Sequence, residues 1–328
     1  MKKYAKTILL FGVLLFSSSL FIIAQTTVNY KILKDDPSQK FQVNAGVLAD
    51  LDFVKDNHRS GYYAKSSLML GRIATFQGEI LFGNPKWDKV SKTCVAKELK
   101  GWYSAEGRAS LHLKDVVLKK DEKIDLKTTS TQSYNYTYTN TQYIMAPATH
   151  REVLGLTGSV ALTQRSFQQN NDSVLKIQNT TTLRDTLFPN FGTNSSMLLF
   201  SAGFQKEDLV NYIIDATDEK TGERFGKKNS RWRTDVTMEA LYTPIVSFDK
   251  KLMVNNMQTH LMETYEISND VRIQHWGFRI RSEATHLTKV GSGARIEVGS
   301  RPGIYTKSKD KKLVNWYIQL GLFLCFNA

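Results

Sequence analysis

Two interleaved sets of residues alternate along residues 101–114, GWYSAEGRASLHLK, and this alternation limits what the chain can fold into. The odd positions are small or apolar, whereas the even positions after Trp102 carry hydroxyls, a carboxylate, two cations and an imidazole. Successive side chains of a β-strand point to opposite faces, so this period of two predicts a strand with one apolar and one charged face.

The same alternation recurs in four other segments: FQVNAGVLADLDF (41–53), RWRTDVTMEALYT (231–243), WGFRIRSEA (276–284) and ARIEVGSR (294–301). No stretch shows a convincing 3.6-residue period. Weaker strand candidates fill the gaps at 59–71, 74–83, 131–145, 151–165, 172–184, 195–205, 208–215 and 249–264. The pattern therefore predicts an all-β chain of about 12–14 strands in one domain, without internal repeats longer than a hairpin.

Two architectures use strands of this kind, a soluble sandwich and a membrane barrel. In a sandwich the apolar face forms the core and is bulky, while charges face water. Here the apolar faces contain many Gly and Ala residues, the polar faces mix Arg with Glu or Asp at alternate positions, and several strands reach 13 residues. Trp232, Trp276 and Trp316 fall on apolar faces, as an aromatic girdle requires, although core tryptophans are an equally simple explanation. Together these features favour a closed antiparallel transmembrane β-barrel.

The first 24 residues have the three parts of a secretory signal peptide. Lysines near Met1 precede an apolar run from Ile8 to Ile23, and Ala24 follows as a small residue at the cleavage position. An uncleaved membrane anchor is the alternative, but spanning needs ~20 apolar residues and serines interrupt this run. We therefore expect residues 1–24 to be removed, residues 25–40 to form a periplasmic leader and residues 41–328 to form the barrel.

The C-terminal segment LVNWYIQLGLFLCFNA alternates from Val314 to Phe326 and has an almost complete apolar face. It resembles the closing strand of Gram-negative outer-membrane β-barrels, although Asn327 and Ala328 follow the terminal aromatic residue. The ending IIAQ of the leader and the net charge of +13 are similar to barrels of the Bacteroidetes type. The resemblance implies export, insertion by the barrel-assembly machinery, and contact with outer-membrane lipid and lipopolysaccharide. Lysines in the connectors 219–231 and 305–312 are candidates for lipopolysaccharide phosphates, or are simply solvated.

Motifs for catalysis are sparse. Ser110 and His112 share one strand face, as a serine hydrolase acting on lipid requires, but their predicted direction is inward. The chain has no GxSxG motif, P-loop or dinucleotide fingerprint, and its six histidines show no metal-binding spacing. We therefore predict no enzyme activity, and no catalytic, cofactor or metal residues. Cys94 and Cys325 do not form a framework, and their spacing leaves open whether they pair. An exported protein is not expected to bind nucleic acid despite this positive charge.

Basic residues supply the remaining functional signal. Eight cations fall on predicted interior faces against five carboxylates, Glu106, Asp235, Glu239, Glu283 and Glu297; one cation is Lys114 and the others form a predicted basic patch. The patch consists of Arg108, Arg231, Arg233, Arg279, Arg281, Arg295 and Arg301.

Rings of basic side chains select anions in pores, so the first prediction is a channel for small polar or anionic solutes. The alternatives are a non-enzymatic scaffold for envelope, secretion or gliding components, and a lipid hydrolase. Lumen width would distinguish the first two, and width depends on strand number and shear.

Overall fold

The computed structural model describes residues 28–52, 59–83, 101–133, 136–169, 175–183, 185–188, 191–255, 261–267, 271–306 and 316–327. The predicted signal peptide and Cys94 lie outside these residues. The described residues form seventeen strands, β1 to β17 in chain order. Their bounds are Val28–Asp35, Phe41–Asp52, Arg59–Leu70, Ala74–Gly83, Trp102–Ser133, Tyr136–Gln169, Leu175–Asn179, Asp185–Phe188, Phe191–Asp218, Arg224–Phe248, Lys251–Asn255, Met262–Ile267, Val271–Gln274, Trp276–His286, Val290–Ser300, Gly303–Thr306 and Trp316–Asn327. None of the described residues belongs to a helix that is long and apolar enough to cross a membrane.

Ten of these strands close into one antiparallel barrel. The order around the barrel is β9-β10-β14-β15-β17-β2-β3-β4-β5-β6, and the pairing of β6 with β9 closes it. The C-terminal strand β17 pairs with β2, the first strand of the barrel. Strand β1 is hydrogen-bonded to β9, and the short strands form two further sheets, β11-β12-β7-β8 and β13-β16.

The all-β class and the closed antiparallel barrel are confirmed, but the barrel has ten strands rather than 12–14. Predicted strands merge in two places: 151–165 and the part of 131–145 from residue 136 onward both lie in β6, and 195–205 and 208–215 both lie in β9. Residues 131–133 are the end of β5. Two further candidates, 172–184 and 249–264, contain short strands of the separate sheet. The overcount arose because alternation weakens within a long strand without ending it.

Burial along the barrel strands is the reverse of that in a soluble protein. In β3 every second side chain is buried from Arg59 to Met69, and the side chains between them are exposed. The exposed set is largely apolar, as at Val236, Ile296 and Leu320, whereas Arg108 and Glu239 are buried. Slipping a strand by one residue would exchange these two faces, so the register is strongly specified. It is the register that the sequence predicts.

Aromatic pairs on the outer surface mark two levels along the ladder of β10 and β14. Trp232 stacks on His286 with ring centroids 5.0 Å apart, and Tyr242 stacks on Trp276 at 4.6 Å. Tyr242 lies ten positions after Trp232 in the same strand, which corresponds to ~33 Å at the usual rise of ~3.3 Å per residue. With a strand tilt of ~40°, the two levels lie ~25 Å apart, the height of the apolar band of a transmembrane barrel. The outer surface therefore has the composition and the dimensions of a membrane-facing belt.

The chain divides into two compact units. Unit 2 comprises Asp35–Lys120, Ala148–Tyr212 and Arg231–Ala328 and contains the barrel, while unit 1 comprises Met1–Lys34, Asp121–Pro147 and Ile213–Ser230. The predicted boundaries, with a signal peptide at 1–24, a leader at 25–40 and a barrel at 41–328, stay predictions. Of the predicted leader, residues 28–35 form strand β1.

Unit 1 buries its own small apolar core of Ile124, Leu126, Ala146, Ile214 and Ala216, each at most 1% exposed. Its hairpin turn between β9 and β10 is held by the Asp218 carboxylate, which accepts the N–H groups of Lys220 and Thr221 at 2.8 and 3.0 Å. The N–H groups of Thr221 and Lys220 stabilise the charged carboxylate and lower the pKa of Asp218. Gly222 adopts a φ of +70°, a value that favours glycine. The predicted connector 219–231 is this turn and the start of β10.

Candidate functional site

A cluster of ten charged side chains occupies the interior of the barrel, and we call it the central ion-pair cluster. It contains five cations and five carboxylates, all of them linked by contacts of 4.0 Å or less. Its members are Lys65, Arg108, Arg279, Arg281, Arg295, Glu79, Glu106, Glu239, Glu283 and Glu297. The cluster is balanced in formal charge, and the side chains come from β3, β4, β5, β10, β14 and β15.

Arg279 connects the two carboxylates of one half of the cluster. Its Nε donates to Glu239 at 2.5 Å, and its terminal nitrogens donate to both oxygens of Glu106 at 2.9 and 2.5 Å. Arg108 donates to the same two carboxylates at 2.9 and 3.1 Å. Ser201 donates to the second oxygen of Glu239 at 2.7 Å. This half is a square of two cations and two anions, with Glu239 completely shielded from solvent.

Glu297 and Glu79 organise the other half. Glu297 accepts hydrogen bonds from Arg281 at 2.7 Å, from Arg295 at 2.8 Å and from the Tyr317 hydroxyl at 2.6 Å. Glu79 accepts from Arg295 at 2.8 Å. Planar guanidinium groups with five donors suit such multiple contacts, which explains why arginine predominates over lysine among the cations.

A second group lies around Asp50, whose carboxylate is buried. Arg301 donates to both of its oxygens at 3.0 and 2.7 Å, and Arg165 donates to one of them at 2.7 Å. The Arg301 guanidinium lies 3.5 Å from the centroid of the Tyr317 ring, and the Arg165 guanidinium lies 5.3 Å from the Trp102 ring. These arginines are therefore fixed by a carboxylate and by aromatic faces.

Polar side chains also fill the interior towards the β3–β4 turn. Arg233 donates to Glu207 at 3.0 Å and to Gln42 at 2.8 Å, and Gln205 donates to Asp235 at 2.8 Å. The interior is thus hydrogen-bonded across the barrel at this level as well.

Ser110 and His112 do not form the pair that a hydrolase requires. The Ser110 hydroxyl donates to Gln205, while the His112 Nε2 atom lies 2.9 Å from the Thr75 hydroxyl. Both Ser110 and Thr75 are almost completely buried, at 2% and 1% exposure. The geometry offers no serine–histidine contact for the hydrolase alternative.

Two cavities remain between the interior side chains that are described. One has a volume of about 60 Å³ and is bordered by Trp102, Thr163 and Gln319. The other, next to Lys65 and Asp235, has a volume of about 10 Å³. An ordered water needs ~10–15 Å³, so the first holds a few waters and the second at most one.

The predicted basic patch is divided between these groups. Four of its members, Arg108, Arg279, Arg281 and Arg295, lie in the central cluster, and Arg301 lies beside Asp50. Arg233 contacts Glu207, and Arg231 donates to Asn211 at 2.9 Å. Lys114, which the sequence placed on an interior face, is exposed.

Sequence reasoning missed the buried carboxylates Asp50, Glu79 and Glu207 and the buried cations Arg59, Lys65 and Arg151. Asp50 and Glu79 stand on the polar side of alternating segments, so the signal was present. Asp50 pairs with Arg301 and Glu207 with Arg233, so these two arginines of the predicted patch are neutralised locally.

Comparisons with known proteins give similarity at a low level. No protein-family model matches the chain, and no curated protein matches it. LpxR from Salmonella typhimurium has 9% sequence identity and a TM-score of 0.30, covering 86% of this chain and 99% of LpxR. The β domain of the Bordetella autotransporter BrkA has 8% identity and a TM-score of 0.24, covering 87% of this chain and 98% of that domain. An anion-selective porin from Comamonas acidovorans has 7% identity and a TM-score of 0.18, covering 93% of this chain and 100% of the porin. At these TM-scores the fold assignment depends on the strand pairing itself.

Proposed function

We propose that the protein is an integral outer-membrane barrel with a closed lumen that anchors other envelope components. The central ion-pair cluster is the observation that carries this proposal. Its ten side chains pair with one another across the barrel, and the two neighbouring cavities hold a few waters at most. The apolar belt of ~25 Å supports membrane insertion.

An anion channel has less support from the same geometry. Selective pores need unneutralised charge along an open path, whereas the central cluster pairs five cations with five carboxylates. The strand number agrees, because barrels of about 8 strands are filled by side chains and those of 16–18 strands leave an aqueous channel. Ten strands lie near the filled end of that range.

The lengths of the connections support an orientation. The β3–β4 and β14–β15 turns, residues 71–73 and 287–289, are short, whereas 84–101, 170–190 and 301–315 connect strands at the other rim. In outer-membrane barrels the short turns face the periplasm and the long loops face outward. The rim that carries the turns 71–73 and 287–289 then faces the periplasm.

Conductance in planar bilayers tests the closed lumen. The purified protein should give no stable conductance steps in 1 M KCl. The matched control replaces Glu106, Arg108, Glu239 and Arg279 by serine, which removes two cations and two anions and empties one half of the cluster. This variant should conduct if the native side chains close the lumen. Steps from the native protein, with an anion preference that falls in Arg281→Ser/Arg295→Ser, would establish the channel and refute the proposal.

A further inference from the structure

Strand β1 is unusually exposed for a strand of a folded protein. From Asn29 to Leu33 every side chain is exposed, on both faces of the strand. Strand β1 is hydrogen-bonded to β9, and on its other edge the backbone N–H and C=O groups have no strand partner within the described part of the chain. Exposed apolar edge strands pair readily with further strands, and native proteins usually shorten, charge or cover them.

Hydrogen bonds hold Asp35 and Asp36, at the C-terminal end of β1. Strands β6 and β9 are paired as far as His150 and Val210. Beyond this point the Asp36 N–H donates to the Asn211 carbonyl, so the chain preceding the barrel takes over the edge of β9. The Asp35 carboxylate accepts the N–H and the hydroxyl of Thr149 at 2.8 and 2.7 Å. Strand β1 is thus held in place at its C-terminal end.

Each face of β1 combines exposed apolar side chains with one lysine. Tyr30 and Ile32, 37% and 46% exposed, share one face with Lys34, whereas Leu33, 43% exposed, shares the other face with Lys31. An incoming strand with apolar side chains opposite Tyr30 and Ile32 and a carboxylate opposite Lys31 complements this strand.

We infer that the free edge of β1 binds an extended acidic segment of another envelope protein by strand addition. In this mode main-chain hydrogen bonds give affinity, and alternate side chains give specificity. The inference builds on the proposed function, because it names the partner chemistry of an anchoring barrel.

Two other occupants fit less well. A second copy pairing β1 with β1 would bring lysines of the two strands close together, and like charges across a ladder are unfavourable. The chain itself supplies three residues, 25–27, before β1 after cleavage at the predicted position. Three extended residues span ~10 Å, against ~26 Å for the eight residues of β1.

Peptide binding to the full mature protein in detergent tests the inference. The probe is a fluorescent eight-residue peptide that alternates valine with polar residues, two of which are glutamate. A matched peptide has lysine at those two positions. Fluorescence anisotropy should show about tenfold tighter binding of the glutamate peptide. The variant Lys31→Glu should reverse the order of the two peptides, a result that a merely adhesive apolar surface would not give.

A backbone variant tests the edge itself. Asp36 points its N–H at β9, so the two-residue alternation directs the N–H of Leu33 to the free edge. Leu33→Pro removes that donor and should weaken glutamate-peptide binding at least tenfold, whereas Leu33→Ala keeps the donor and should weaken it less. Should Leu33→Pro not fold, the charge reversal still decides.

Equal binding of both peptides to the native protein, or no binding, overturns the inference, as does a dimer that light scattering shows to be lost in Lys31→Glu. These results do not depend on conductance. A closed barrel without peptide preference therefore contradicts the strand addition alone, and a conducting barrel contradicts the proposed function alone.

Discussion

Removing one carboxylate from the central ion-pair cluster should destabilise the barrel strongly. In Glu106→Gln, Arg279 and Arg108 lose the carboxylate that they contact at 2.5 and 2.9 Å, and Glu239 remains as the shared anion. Five cations then face four carboxylates in a buried site. Breaking one side of a buried ion pair costs about 3–5 kcal/mol, because the remaining charge is desolvated without a partner. We expect a loss of about that size in the free energy of unfolding.

A double-mutant cycle with Arg108→Gln isolates the interaction. The double variant restores a balance of four cations and four carboxylates, so its loss should be smaller than the sum of the two single losses by about 2–3 kcal/mol. Urea-induced unfolding from lipid vesicles, followed by tryptophan fluorescence, measures all four proteins. The exposed pair Lys127–Glu223, at 2.8 Å, is the matched control. Its cycle should give about 0–1 kcal/mol.

The contrary result has a clear meaning. Additive losses for Glu106→Gln and Arg108→Gln, within ~0.5 kcal/mol, would show that the two charges do not share a dry site. Their coupling should also persist in 1 M salt, where exposed charges are screened beyond ~3 Å. A coupling that disappears in salt indicates a hydrated lumen and contradicts the reasoning that underlies the closed barrel.

Three further predictions follow from the membrane belt, strand contacts and the turn of unit 1. Val236→Arg, near the middle of the belt, should cost about 2–4 kcal/mol, and Val290→Arg, near the short-turn rim, about 0–1 kcal/mol in the same unfolding assay. Gly203→Ala should cost about 1–3 kcal/mol or more because its Cβ would lie 1.8 Å from a carbonyl oxygen of β10, while Gly107→Ala, with no atom within 4 Å, should be neutral. The lowered pKa of Asp218 means that its contribution to unit 1 is complete above the unfolded pKa of ~3.9 and is lost as the pH falls through the folded value. The hydrogen-exchange protection factors of the β9–β10 turn, which correct for the intrinsic exchange rate, should therefore fall on acidification, and Asp218→Ala should remove that dependence.

The sequence predicted the fold well where alternation is strict and poorly where it changes. In both segments, 231–243 and 276–284, most apolar residues hold the even positions and the charged residues hold the odd positions. In the barrel the two segments pair along their whole length, from Trp232 with His286 to Tyr242 with Trp276. The faces followed directly because only one register buries the charges. Strand number did not follow, because nothing in a single strand records how many neighbours close the sheet.

The sequence predicted which charged side chains lie inside the barrel, but not how cations and carboxylates pair there. Arg281 and Arg295 were placed inside correctly, yet their contact with Glu79 joins strands that are about 200 residues apart in the chain. Alternation tells which way a side chain points, but not which charge lies opposite across a lumen. The excess counted over five segments therefore left out Asp50 and Glu207, the carboxylates that pair with Arg301 and Arg233.

Strand β5 shows why the alternation of apolar and polar residues did not identify every part of a strand. Up to Val117 its exposed odd positions are mainly apolar, with Leu111 and Leu113 each 60% exposed. Farther along, the same odd set becomes Lys119, Asp121, Lys123, Asp125 and Lys127, and the even set becomes apolar, with Ile124 and Leu126 buried to 1%. The strand keeps its period of two throughout and changes only the medium that its exposed face meets. The sequence of residues 118–130 therefore looks like a polar connector, although these residues continue the strand.

The reversal near Val117 places the edge of the apolar belt on this strand. We expect a charge introduced on the odd face to be costly at Leu111 and tolerated at Lys123→Glu, and unfolding measurements of Leu111→Glu beside Lys123→Glu test this. Equal costs at the two positions would show that the reversal near Val117 does not mark the edge of the apolar belt.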